Sequence, residues 1–135
     1  MEQRSLKLGY WELEFYFADD GYDVDLLVDR LFDFGASPKL MRQAMALMES
    51  GRMNTGFTYT NEVERLALVA IGPTTDGDEF IDTLIHELHH VAVAIALDLG
   101  IDLDDEGPAY ISGDSARVLA STICRLGCQS CRNAH

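Results

Sequence analysis

The stretch from Asp78 to Leu99 constrains this chain more than any other segment. Ile81, Leu84, Ile85, Val91, Val93 and Ile95 recur through it with no glycine or proline to interrupt them. That pattern predicts one long helix, capped near Asp78 and stopped at Gly100. A helix this apolar is expected to be largely buried, so the rest of the chain has to build its core around it.

The remaining punctuation supplies the partners. Trp11, Leu13, Phe15 and Phe17 alternate with Glu12, Glu14 and Tyr16, the period of a half-buried strand, until Asp19-Asp20-Gly21 breaks it. Val24, Leu27, Val28, Leu31 and Phe34 follow helical spacing, and Asp25, Asp29 and Asp33 read as a solvated face. Ser37-Pro38 caps a second helix that Gly51 ends. Its methionines read as core filler. Asn54 to Thr60 alternates again, and a turn at Asn61-Glu62 predicts a hairpin with the doubly apolar run Leu66 to Ile71. A last helix, with Pro108 tolerated in its first turn, carries Ala109, Tyr110, Ala116, Leu119 and Ile123. The expectation is a single α+β domain over 1–135, a small antiparallel sheet packed with about four helices.

Composition narrows the function classes. Ten basic against 23 acidic residues give a formal charge of −13, which argues against binding nucleic acid through its phosphates. No signal-peptide layout opens the sequence and no apolar run reaches about 18 residues. The expectation is a cytoplasmic protein without a membrane partner, acting on a peptide or protein.

Three of the four histidines fall within His86-Glu87-Leu88-His89-His90. At about 100° per residue, His86 and His90 stand about 40° apart and one turn up the helix, so both imidazoles can reach one ion. Glu87 lies beside them, free to act on water. This is the geometry of helical zinc sites. His89 points about 60° to the other side and is not counted as a ligand. The bland alternative is a pair of satisfied core histidines, but two on one buried stripe are costly without a partner. A third ligand should be acidic, since His135 lies at the terminus. Asp98, Asp102, Asp104, Asp105, Glu106 and Asp114 are the candidates. Glu106 is chosen because the next helix must fold back across a short connection.

His86-Glu87-x-x-His90 followed by Glu106-Gly107-Pro108-Ala109 resembles the gluzincin pattern of zinc peptidases. The wider stretch from Asn54 to Asp114, less than half of the chain, resembles small zincin-like proteins of phages and prophages. One departure is Tyr110, where gluzincins commonly place an aspartate that orients a histidine; Asp82 or Asp114 would then supply that support. The resemblance implies a zincin-like fold and a zinc-dependent peptidase. His86, His90 and Glu106 would hold zinc, Glu87 would be the general base, and Tyr110 would help stabilise the oxyanion. It also implies an edge strand that pairs with extended substrate, with Phe57–Thr60 and Leu66–Ile71 as candidates. Rival readings are an inactive zinc-stabilised phage protein that binds a host protein, and an acidic mimic of nucleic acid.

Cys124-x3-Cys128-x2-Cys131 closes the chain, all its cysteines within the last dozen residues. With His135 they could hold a second zinc. The preferred reading is a helix end with one core cysteine and two exposed thiols.

Overall fold

Two strands begin the chain where the pattern suggested one. β1 (Glu2–Leu8) and β2 (Trp11–Phe17) pair antiparallel in the register Leu8↔Trp11, closed by a tight turn at Gly9 with φ of 60°. In the computed structural model, which describes residues 1–104 and 106–134, the hairpin leads into α1 (Val24–Asp33) and α2 (Pro38–Glu49). Asp23 caps the first by accepting from the Leu26 amide, and Ser37 caps the second through the Leu40 amide. β3 (Gly56–Asn61) and β4 (Leu66–Ile71) form the expected second hairpin. α3 (Gly77–Asp98) follows, then α4 (Gly107–Val118), α5 (Ala120–Gly127) and α6 (Gln129–Ala134).

The sheet order is β1-β2-β4-β3, and β2 runs parallel to β4. The sheet is therefore mixed, not antiparallel as expected. Two antiparallel hairpins meet along their inner strands, and the connection through α1, α2 and β3 brings the chain back in β4 in the same direction as β2. Helices cover both faces. Trp11, Leu13, Phe15 and Phe17 pack with Phe80, Leu84, Leu88, Val91 and Ile95 of α3. Tyr16, Leu68 and Ala70 face the other way, onto Leu27, Leu31, Ala44 and Met48. Double coverage explains why the C-terminal half of β2 is buried on both sides while the pattern suggested one. It also fits β4, whose residues after Leu66 are all buried.

α3 starts at Gly77 with Asp76 as its cap, two residues before the expected Asp78. A glycine is required at 77 because a Cβ there would lie 2.2 Å from the Gly127 carbonyl oxygen. The helix ends where expected, with Gly100 at φ 71°. By length and composition α3 could cross a membrane, with mean hydropathy 1.3 over its most apolar window. Its apolar face is instead the face that covers the sheet. The expected last helix is broken at Leu119 and again at Cys128, so six helices are described.

Candidate active site

Not all of α3 is buried, and the histidines lie on the part that is not. Phe80, Thr83, Leu84, Glu87, Leu88 and Val91 face the sheet, while Ile85 is 56% exposed and the His86 side chain 69% exposed. His89 and His90 are exposed as well. The expectation of two histidines on a buried stripe is thereby corrected. Ile85, counted as part of the apolar flank, faces solvent, Ile81 is partly covered by Gly127, and the imidazoles need no partner to offset burial.

The pairing itself follows from helix geometry. The His86 and His90 rings lie 5.0 Å apart at 82°, one turn apart on one face. His89 is turned aside, its ring 6.4 Å from that of His90. Glu87 is only 5% exposed, and its Oε2 lies 3.8 Å from His86 Nε2. A carboxylate this enclosed needs donors. Thr58 of β3 provides one, its hydroxyl lying 2.9 Å from Glu87 Oε1 and also 3.3 Å from the Glu87 carbonyl oxygen.

β3 reaches Glu87 because of Gly56. A Cβ there would meet the Ala70 carbonyl oxygen at 2.7 Å and Glu87 Cγ at 3.2 Å. The strand can approach the helix this closely only with a bare backbone. β3 is an edge of the sheet, so Phe57–Thr60 and not Leu66–Ile71 is the edge segment. A groove runs between β3 and α3 with Glu87 at its midpoint. On one side is a depression of about 310 Å³, lined by Asn54, Thr55, Gly56, Asp82 and His86. On the other is one of about 340 Å³, lined by Thr58, Thr60, Glu62, His90 and Leu97. Tyr22 buttresses the first side, donating its hydroxyl to the Thr55 carbonyl at 3.2 Å. Burial pushes the Tyr22 phenol above its ordinary pKa, and the charge of Glu87 adds to that.

No family model, curated protein or solved structure matches this chain.

None of the described acidic candidates joins the histidine pair in a three-group cluster. α4 and α5 flank α3 towards β1, where Arg4 bonds Val118, Ser121 and Thr122, whereas the histidine pair borders the groove at β3. Glu106 precedes the first turn of α4 and accepts from the Tyr110 hydroxyl at 3.3 Å, with Tyr110 itself 67% exposed. Among the described residues no three His, Cys, Asp or Glu side chains converge as a metal site. Asp98 is engaged by Arg65 at 2.9 Å and by the Trp11 indole at 3.0 Å, contacts that hold its carboxyl below the usual range. Asp102 accepts from the Asp104 amide, and Asp114 pairs with Arg117. Asp105 and His135 lie outside the described residues. Asp82, expected as possible support for a histidine, lines the groove beside His86.

Two contributors are not recognisable from the sequence. There Thr58 reads only as the polar phase of an alternating strand, and Gly56 only as part of that strand. Their signal, a glycine and a threonine on one face of an edge strand, gains meaning only once that strand is known to lie against α3.

Proposed function

We propose that this chain is a zinc-dependent peptidase with a zincin-like arrangement of helix and edge strand. One observation carries the reading. An enclosed carboxylate, Glu87, is fixed by Thr58 at the midpoint of a groove, with two paired imidazoles on its open side. The donor chemistry suits zinc: two imidazoles stand one helical turn apart, and the carboxylate of Glu106 would have to complete the set. The described residues bring the two imidazoles together, and Glu106 enters as the proposed third ligand from the connection that leads into α4. When bound, zinc supplies Lewis acidity that lowers the pKa of water and polarises a carbonyl.

The chain's own residues account for the rest. Glu87 would take the proton of the attacking water and return it to the leaving amine. Thr58 holds that carboxylate on the groove side, so the base does not have to be ordered at each turnover. The outer edge of β3, unpaired among the described residues, offers backbone groups to an extended peptide. The depressions on either side of Glu87 would take the flanking substrate side chains. Tyr110 is proposed as an oxyanion donor; with its hydroxyl on Glu106, it would serve only once Glu106 has moved to the pair.

Metal analysis combined with cleavage assays tests the proposal. Native protein should hold about one zinc per chain, and His86→Ala or His90→Ala should abolish it. Glu106→Gln should weaken zinc binding strongly; as a mere helix-start residue it would cost only about 0.3–1 kcal/mol and leave the metal in place. Glu87→Gln should retain zinc yet lose hydrolysis by at least about a hundredfold. Full zinc occupancy in both histidine variants, or none in the native chain, refutes the metal site. Zinc with no hydrolysis of any peptide leaves the chain a zinc-stabilised binding protein.

A further inference from the structure

Outside the groove, the three cysteines are free and none is in the core: Cys124 is exposed, and Cys128 and Cys131 are half-buried. The expected core cysteine is therefore not found, and among the described residues the three sulfurs form no metal site. The groove itself is more informative, because its two ends are unlike. On the His90 side the depression of about 340 Å³ has an apolar floor of Val93, Ala94 and Leu97, with Leu97 62% exposed. Glu87, His90, Ala94 and Leu97 follow one another at intervals of three and four residues, so they form one stripe of α3. On the strand side, Thr58, Thr60 and Glu62 come at every second residue and share the face that Thr58 turns towards Glu87. Glu62 forms the rim, one oxygen of its carboxylate held by the Thr60 hydroxyl at 2.7 Å. Arg65, three residues on, is drawn away to Asp98 at 2.9 Å. No Lys or Arg is among the described residues that line either depression.

We infer that this depression is a subsite for a lysine or arginine side chain of the substrate, with Glu62 as the residue that selects it. The inference rests on the peptide-cleaving role proposed for the groove. An apolar floor that ends at a carboxylate matches a side chain with an aliphatic stem and a cationic head. The stem would lie along Val93 and Leu97, and the head would meet Glu62. A purely aliphatic side chain uses the floor alone, and an acidic one is repelled by Glu62 and by the formal charge of −13. The spacing agrees. At about 3.3 Å per residue, Glu62 lies about 13 Å along the strand from Thr58 and the carboxylate that Thr58 holds. In a substrate extended along the edge of β3, the residue two positions from the cleaved bond faces the groove again about 7 Å along. The four-carbon stem of a lysine there covers much of the remainder. The other depression has Asp82 but is otherwise lined by Asn54, Thr55, Thr83 and His86, with Leu47 as its apolar side chain, and gives a stem far less to lie on.

Peptide binding to the full chain carrying Glu87→Gln, which stops turnover, tests this without relying on hydrolysis. The probes are fluorescent alanine-rich peptides that differ at one central residue: lysine, norleucine (the same stem without the charge) or glutamate. In low salt the lysine peptide should bind about three- to fivefold tighter than the norleucine peptide, the upper range for a solvent-accessible ion pair. The glutamate peptide should bind weakest. Adding Glu62→Gln should bring the lysine peptide down to the norleucine affinity, and Glu62→Lys should reverse the order of lysine and glutamate. Leu97→Ser should weaken the lysine and norleucine peptides alike, since both lose the floor. Equal affinity for lysine and norleucine, a lysine preference that survives Glu62→Gln, or no binding of any of the three peptides overturns the inference. Mapping the cuts that the native chain makes in an unfolded protein separates this from the peptidase reading. Cleavage with no basic residue near the cut sites would sink the subsite and leave the peptidase standing. Lysine-selective binding by a chain that cleaves nothing would keep the subsite and sink the peptidase.

Discussion

Thr58 donates its hydroxyl to a carboxylate that the fold otherwise encloses, so the two side chains should be energetically coupled. Thr58→Val keeps the shape and removes the donor. An enclosed charged acceptor that loses a hydrogen bond costs about 1–3 kcal/mol. Thr58→Val should be less stable by that amount in urea denaturation, and Thr58→Ser, which retains the hydroxyl, should recover most of it. Combining Thr58→Val with Glu87→Gln should cost much less than the sum of the two, because the charge that needed the donor is gone. Additive effects would mean that the contact contributes nothing. His86 and His90 were legible as a pair because helical spacing alone brings them together. Their exposure was not, because an apolar neighbour such as Ile85 looks the same in sequence whether it is covered or left in solvent.

At the scale of elements, the approach of β3 to α3 rests on one position and can be tested against a glycine that lacks the constraint. A Cβ at Gly56 meets the carbonyl oxygen of Ala70, a backbone atom held in the β3–β4 ladder that cannot swing aside. Gly56→Ala should therefore push the strand outward, cost about 1–3 kcal/mol, and raise hydrogen exchange at the β3 amides. A Cβ added at Gly113, within α4, would meet nothing within 4 Å, so Gly113→Ala should gain about 0.5–1 kcal/mol. Equal effects at the two sites would remove Gly56 from the account. Helix ends were legible wherever the signal is local: Ser37-Pro38 and Gly100 act within their own turns. β1 was missed although Leu6 and Leu8 alternate with Lys7 and Gly9 offers a turn, because the rest of the strand has no apolar alternation to report. The parallel β2–β4 pairing was illegible for a different reason. It joins Glu12 to Leu66, and nothing in either segment records the direction of its neighbour.

For the whole molecule, a formal charge of −13 sets two opposing responses to acid. At neutral pH the unpaired carboxylates repel one another, and added salt should raise the midpoint of thermal unfolding by screening them. Lowering the pH towards the sequence pI of about 4.4 should relieve the same repulsion. Against this stand the carboxylates that the fold has paired. Burial alone would raise the pKa of Glu14, but Arg30, bonded to it at 2.6 and 3.1 Å, and the Tyr16 hydroxyl overcome burial and leave it lowered from 4.5. Asp98 is lowered from 3.8, chiefly by Arg65 and then by Trp11. A carboxyl whose pKa is depressed on folding contributes stability that is fully present above its unfolded value and is lost as pH falls through the folded one. Stability in low salt should therefore hold or rise as pH drops from neutral to about 5, then fall steeply below about 4 as the two groups protonate. Arg30→Met and Arg65→Met should flatten that acid limb while leaving the salt response near neutral pH in place. If both variants retain the native acid limb, other carboxylates govern acid unfolding, and the bridge from α1 to β2 and the anchor at the end of α3 are not what acid dismantles.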